Sequence, residues 1–262
     1  MYFPSKLKSE FPVSKSTGLS ILKEAINVPK LSAMTLEMRP KTAKSLRPKP
    51  LSSSKYIRKG KFRGLPLYFL TLAELDTCPD SCALKLTFEQ LKTMGPDAVP
   101  CYGRNMPFAD RNDHESPEFY SAIERDVEYL DTKHPDGFAI RLHELGDFFS
   151  TDYVSFWEML LCSYPALNVF GYSHTTGAIG DMLDMLYVCY ATDERPRFAI
   201  YDSDNSHGSG VRPTASTIEH VPEDFKPPRG TVVCPQQLKK TASCATCGLC
   251  PSGDVNLLFL TH

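Results

Sequence analysis

From residue 65 onward, apolar positions fall in short blocks whose spacing switches between strand-like runs and helical stripes. Leu67-Tyr68-Phe69-Leu70-Thr71-Leu72 is a short β-favouring run and reads as a buried strand. Leu84, Phe88 and Leu91 fall at i, i+4 and i+7, one face of a helix stopped by Gly95. Ser116-Pro117-Glu118 supplies an N-cap, a proline at the first helical position and an early acid. The stripe behind it is Phe119, Ile123, Val127 and Leu130. Further strands are expected at Phe138 to His143, Leu167 to Tyr172, Arg197 to Tyr201, Gly230 to Val233 and Val255 to Leu260. Between them run two helices. One turns Val154, Trp157, Leu160 and Leu161 inward; the other turns Ile179, Met182, Leu186 and Cys189 inward. Cys162 and Cys189 read as small core hydrophobes on these helices.

Strand–helix repeats of this length imply parallel pairing with crossover helices. The predicted fold is therefore α/β, a partial or full barrel-like parallel sheet of about six strands with crossover helices. Almost every predicted strand ends in polar or cysteine residues. In barrels of this kind the site is built from loops at the C-terminal ends of the strands. The first cysteine group (Cys78, Cys82 and Cys101), Gly146-Asp147, Ser173-His174, Asp202-Ser203 and Cys234 should then gather at one rim.

Charge divides the chain in two. Residues 1–64 carry 15 Lys/Arg against Glu10, Glu24 and Glu37, a net of +12, while the remainder carries 14 basic and 28 acidic residues, a net of −14. Residues 1–64 read as a basic, largely extended arm: Ser, Lys and Pro dominate, and too few apolar residues are present to build a core. Leu19 to Ile26 has the pattern for one or two amphipathic turns that would dock on the body. Lys55-Tyr56-Ile57-Arg58-Lys59-Gly60-Lys61-Phe62-Arg63 interleaves cations with aromatics, a pattern suited to phosphate contact and base stacking, so nucleic acid is a candidate partner. An arm lying on its own acidic body fits the same charges. Residues 65–262 form the second unit. Their apolar runs, in a chain that is 42% hydrophobic and 23% charged, suit a globular core. The start has no apolar signal region, and no run approaches the ~18 residues of a membrane helix. These features predict a reducing cytoplasmic setting and no membrane partner.

In that setting clustered cysteines read as metal ligands. Of nine cysteines, seven form two groups. Cys244, Cys247 and Cys250 follow C-x2-C-x2-C with Cys234 ten residues earlier, four thiolates that suit a tetrahedral zinc or an iron–sulfur cube. The unbroken triplet resembles the iron–sulfur run more than the separated pairs of zinc ribbons. Cys78, Cys82 and Cys101 supply three more, and three ligands on a four-iron cube leave one iron open. Arg141 and His143 alternate along a strand and should share a face that lines a polar interior, unless Arg141 pairs with a neighbouring acid. His174, Asp202 and Asp204 are rim groups with the chemistry for proton transfer.

The C-x3-C pair on the loop after a first strand resembles the cluster-binding loop of radical S-adenosylmethionine enzymes. In those enzymes the third cysteine follows three residues after the second; here 18 residues separate Cys82 from Cys101. Gly146-Asp147 stands where those enzymes carry Gly-Gly-Glu, which binds the methionine amino group. Read without the resemblance, Gly146-Asp147 is a tight turn with a helix start. The segments TCPDSC and CYGRN, RLHELGDFFS, NVFGYSHT, VVCPQQ with SCATCGLC, and the terminal NLLFLTH resemble the gene-product-88 family of bacteriophages and prophages. That resemblance covers about residues 66–262. Here Gly103 replaces a usual alanine, the insert between Cys82 and Cys101 is longer, and Cys250 precedes proline rather than tryptophan. It implies a phage or prophage protein in the bacterial host's cytoplasm.

These readings converge on an iron–sulfur protein with one or two 4Fe–4S clusters, resembling a radical S-adenosylmethionine enzyme. Gly146, Asp147, His143 and His174 would face the cofactor. A single shared centre would follow if the first and last strands closed a barrel side by side. The competing expectation is a non-catalytic phage protein whose cysteines hold structural zinc and whose arm binds nucleic acid.

Overall fold

The computed structural model describes residues 63–73, 76–82, 84–85, 93, 111–190, 196–222, 224–241 and 247–260. Within them run β1 (Leu67–Phe69), α1 (Phe119–Lys133), β2 (Phe138–Leu142), α2 (Thr151–Ser163), β3 (Leu167–Ser173) and α3 (Gly177–Tyr190). Then come β4 (Phe198–Ser203), β5 (Thr214–Ile218), β6 (Thr231–Val233), a 3₁₀ turn at Cys250–Ser252 and β7 (Asn256–Leu260). The seven strands form one sheet in the order β1-β2-β3-β4-β5-β7-β6, every pair parallel. The sheet is open, with β1 and β6 at its edges among the described residues. This corrects the closed form of the expected barrel. β1 and β7 are not neighbours, so closure does not bring the two cysteine groups together.

The β1–β4 part of the sheet is covered on both faces, which is why these strands read as nearly continuous apolar runs. On one face Tyr68, Leu70, Ile140, Leu142, Val169, Phe198 and Ile200 pack with the buried stripes of the three helices. Phe119, Ile123, Val127 and Leu130 of α1 are all buried, as are Val154, Trp157, Leu160 and Leu161 of α2. On the opposite face Leu67, Phe69, Ala139, Phe170 and Ala199 meet Cys250. The β6–β7 connection supplies this second cover: its 3₁₀ turn packs against β3 and β4.

Four local expectations differ from the structure. α1 begins at Phe119 after Glu118, with no side-chain cap, so Ser116 lies outside the helix. α3 is rotated from its expected stripe: Gly180, Leu183, Asp184 and Leu186 are buried. Cys162 and Cys189 are exposed rather than core residues. β5 lies in the stretch read as loop. The expected helix around Phe88 lies outside the described residues apart from its edges, and so does the arm up to residue 62.

Candidate metal centre

The loop carrying Cys78 and Cys82 is laced to three strand ends. Thr77 closes a turn onto the Ala73 carbonyl through both its backbone N–H (3.2 Å) and its hydroxyl (2.8 Å). The Cys82 amide donates to Pro79 O at 3.1 Å, and the Lys85 amide to Cys82 O at 2.9 Å. Lys85 Nζ donates to the Cys78 carbonyl and to Asp80 Oδ1, both at 2.7 Å. Cys78 and Cys82 thus sit in one tight, half-buried turn.

Asp147 anchors that turn from the end of β2. Its amide donates to Thr77 Oγ1 at 3.3 Å. Its Oδ1 accepts from the Phe148 amide and its Oδ2 from the His174 amide, each at 2.7 Å. Burial raises the Asp147 carboxyl to about 6 despite these donors. His174 Nε2 lies 3.2 Å from the Ser81 carbonyl, and Ser81 Oγ donates to the His174 carbonyl at 3.4 Å. Gly146 is required where it stands. It has φ +86°, and an added Cβ would lie 2.5 Å from Thr77 Oγ1 and 2.7 Å from Leu72 Cβ.

Cys82 faces Asp147 and Asp204, with the backbone amides of Leu84 and Lys85 turned toward its sulfur. Burial, aided by the two carboxylates, pushes the thiol above its ordinary range, while the amides pull the other way. Among the described residues the turn offers two thiols, Cys78 and Cys82, with amide N–H groups at the Cys82 sulfur, while its burial and the nearby carboxylates disfavour a bare thiolate.

His143 does not share the face of Arg141. The strand ends at Leu142, and His143 takes φ +58°, which swings its ring toward the helices. There Nε2 lies 3.0 Å from Tyr153 Oη and the ring meets Phe148 edge-on at 4.6 Å. Burial lowers its pKa to about 3, so it is neutral. Arg141 pairs with Glu144 at 3.8 Å. Asp202 is engaged by its own loop: Oδ1 accepts from Ser206 Oγ at 2.9 Å and the His207 amide at 3.2 Å, and Oδ2 accepts from the Gly208 amide at 3.1 Å. Asp204 Oδ1 accepts from the Thr217 amide at 3.2 Å.

The second cysteine group lies on the β6–β7 connection. Cys234 is buried at the end of β6, its amide donating to Leu258 O at 2.8 Å. Gly248, φ +69°, turns the chain between half-buried Cys247 and Cys250. Cys250 sits against Tyr172, Tyr201, Ala215 and Leu257. Cys101 and Cys244 lie outside the described residues. Among the described residues no three His, Cys, Asp or Glu side chains come close enough together to hold a metal ion. No helix there is long and apolar enough to cross a membrane.

Thr77 and Tyr172 escaped the sequence reading. Thr77 adjoins Cys78, but its link to Asp147 depends on tertiary placement. Tyr172 alternates with Phe170 on β3, and that spacing of two was the available signal.

No family model and no solved structure matches this chain. It is similar to the Gene 88 protein of Mycobacterium phage L5, 29% identical over 144 residues that cover 46% of this chain and 54% of that protein. The chain thus spans about half the length of the curated relative it matches. This similarity supports a phage gene-product family as the chain's kin.

Proposed function

We propose that this is an iron–sulfur protein of phage or prophage origin, working in the host cytoplasm as a radical S-adenosylmethionine-like enzyme. Cys78, Cys82 and Cys101 hold a cluster with one open iron, and Gly146-Asp147 faces the methionine part of the cofactor. Cys234, Cys244, Cys247 and Cys250 hold a second centre. Nucleic acid, guided by residues 1–64, is the proposed substrate class. When bound, the open cluster would supply one-electron reduction of the sulfonium; the chain's own part is to bind, orient and exclude water.

The observation that carries this reading is the placement of the Cys78–Cys82 turn. It packs at the C-terminal ends of parallel strands, bonded to Asp147 and His174, where such sheets build their sites. The open sheet weighs on closure, not on that rim. A second reading has its own observation. Both Asp147 oxygens accept backbone N–H bonds, which suits a structural latch and a zinc-stabilised, non-catalytic protein. Anaerobic purification with iron, sulfide and zinc analysis separates the two, followed by assay of S-adenosylmethionine cleavage by the reduced protein. Iron with sulfide and reductive cleavage supports the enzyme. Zinc without iron overturns it.

A further inference from the structure

The connection from β4 to β5 is held against α3 through one imidazole. His207 packs on the first turn of α3 at Gly180, where an added Cβ would lie 2.5 Å from its Nδ1 and 2.8 Å from its Cε1 and Cγ. A side chain at that position would displace the ring. From this seat Nε2 lies 3.3 Å from Asp181 Oδ1 and 3.3 Å from Asp184 Oδ2. Asp184 is fixed in turn from the far end of the same connection, where buried Arg212 donates through Nε to Asp184 Oδ1. The His207 amide donates to Asp202 Oδ1 at the end of β4. The charged groups about the ring are thus Asp181 and Asp184 on α3, Asp202 on β4 and Arg212 before β5. Between the two anchors His207 and Arg212, residues 208–211 are exposed.

We propose that His207 is a proton-operated clasp that closes the connection of residues 203–213 onto α3. A neutral imidazole has one N–H, so its Nε2 serves at most one of the two carboxylates as a donor and carries no charge to offset either. An imidazolium in the same seat is attracted by both. Arg212 is paired with Asp184 and lies apart from Asp181, so uncompensated negative charge faces the ring until it takes up a proton. Histidine is the side chain whose ordinary charge change falls between about pH 5 and 8. Proton uptake therefore tightens the clasp, and its hold weakens as pH rises through that window. The connection leaves β4 at Asp202, which is in register with Ser173 of β3. The clasp thus sits at the C-terminal rim, where parallel sheets build their sites, and its release loosens one wall of that rim. The inference needs no metal and stands apart from the iron–sulfur reading.

The test is hydrogen exchange on the full chain at about pH 5.5 and about pH 8, in wild type, His207→Gln and Asp181→Asn. Rates are expressed as protection factors, which removes the intrinsic pH dependence of exchange. In wild type the His207 and Gly208 amides should be about 10-fold better protected at the lower pH. The Val169 and Gly171 amides of β3 are the internal reference and should show a smaller step or none. Glutamine donates a hydrogen bond but never carries charge, so His207→Gln should hold both loop amides at the high-pH level throughout. Asp181→Asn should shrink the step. A wild type without the step, a step shared equally by β3, or a full step in His207→Gln would overturn the proposal. Should His207→Gln also lose protection in β3, Asp181→Asn decides, and an undiminished step there would overturn the clasp.

Discussion

Replacing Gly146 by alanine tests how the first cysteine turn is held to the sheet. Two costs arise. A side chain at φ +86° is strained by about 1–2 kcal/mol. The new Cβ also sits 2.7 Å from Leu72 Cβ and 2.5 Å from Thr77 Oγ1. Carbon–carbon contacts settle at about 3.5–4.0 Å, so roughly 1 Å must be recovered between packed atoms, at a cost of about 1–3 kcal/mol. The sum is about 2–5 kcal/mol. Gly230→Ala separates the two contributions: at φ +78° with nothing within 4 Å it carries backbone strain alone. Urea unfolding of both variants gives the difference. With a slope of about 2 kcal/mol/M, Gly146→Ala should lower the midpoint by about 1–2.5 M, and Gly230→Ala by less than half as much. The cheapest relief is to push Thr77 aside, which breaks its bonds to the Ala73 carbonyl and the Asp147 amide. Cys82 in the metal-free variant should then be alkylated faster than in wild type. Equal midpoints for the two alanine variants, or an unchanged alkylation rate, would refute the reasoning.

Titration of the rim supplies further predictions for the metal-free protein. His143 is held near 3 when folded against 6.5 as its ordinary value, so its contribution is present above pH 6.5 and lost as pH falls toward 3. Asp147 runs the other way: raised from 3.8 to about 6, it contributes below pH 3.8, and that contribution is lost as pH rises through 6. Between pH 4 and 6 the two oppose. Asp147→Asn should steepen the rise of stability with pH by about 1.4 kcal/mol per unit, and His143→Gln should flatten it similarly, read by urea unfolding at several pH values. Asp202→Ala removes the acceptor for Ser206 Oγ and the His207 and Gly208 amides and should cost about 2–4 kcal/mol, with faster hydrogen exchange at Gly208.

Six of the strands were legible as short apolar runs; in β1 to β4 burial on both faces produces them, Leu167 to Tyr172 being the clearest. β5 was not: Thr214-Ala-Ser-Thr-Ile218 is short and half-exposed, and it follows a loop rich in Gly and Ser. Alternation within a strand does not specify whether a sheet closes, because closure depends on stagger between strands. It also fails where the strand stops, which is why His143 was placed beside Arg141. One left-handed residue sends its ring to the other layer. Cys162 and Cys189, read as core residues on their helices, are exposed, because helix rotation decides which face a residue takes. The contacts that give the first cysteine turn its surroundings, Thr77 with Asp147 and Ser81 with His174, join residues 70 and 93 positions apart. Register and crossover bring them together, and neither is written in local sequence.

The most direct test of the central claim is the metal and sulfide content of the full chain isolated without oxygen, read with its absorption spectrum. Iron with matching sulfide and a broad band at about 400 nm, at about four or eight irons per chain, is the predicted result. A colourless protein carrying zinc alone, or no metal on any cysteine, would contradict it.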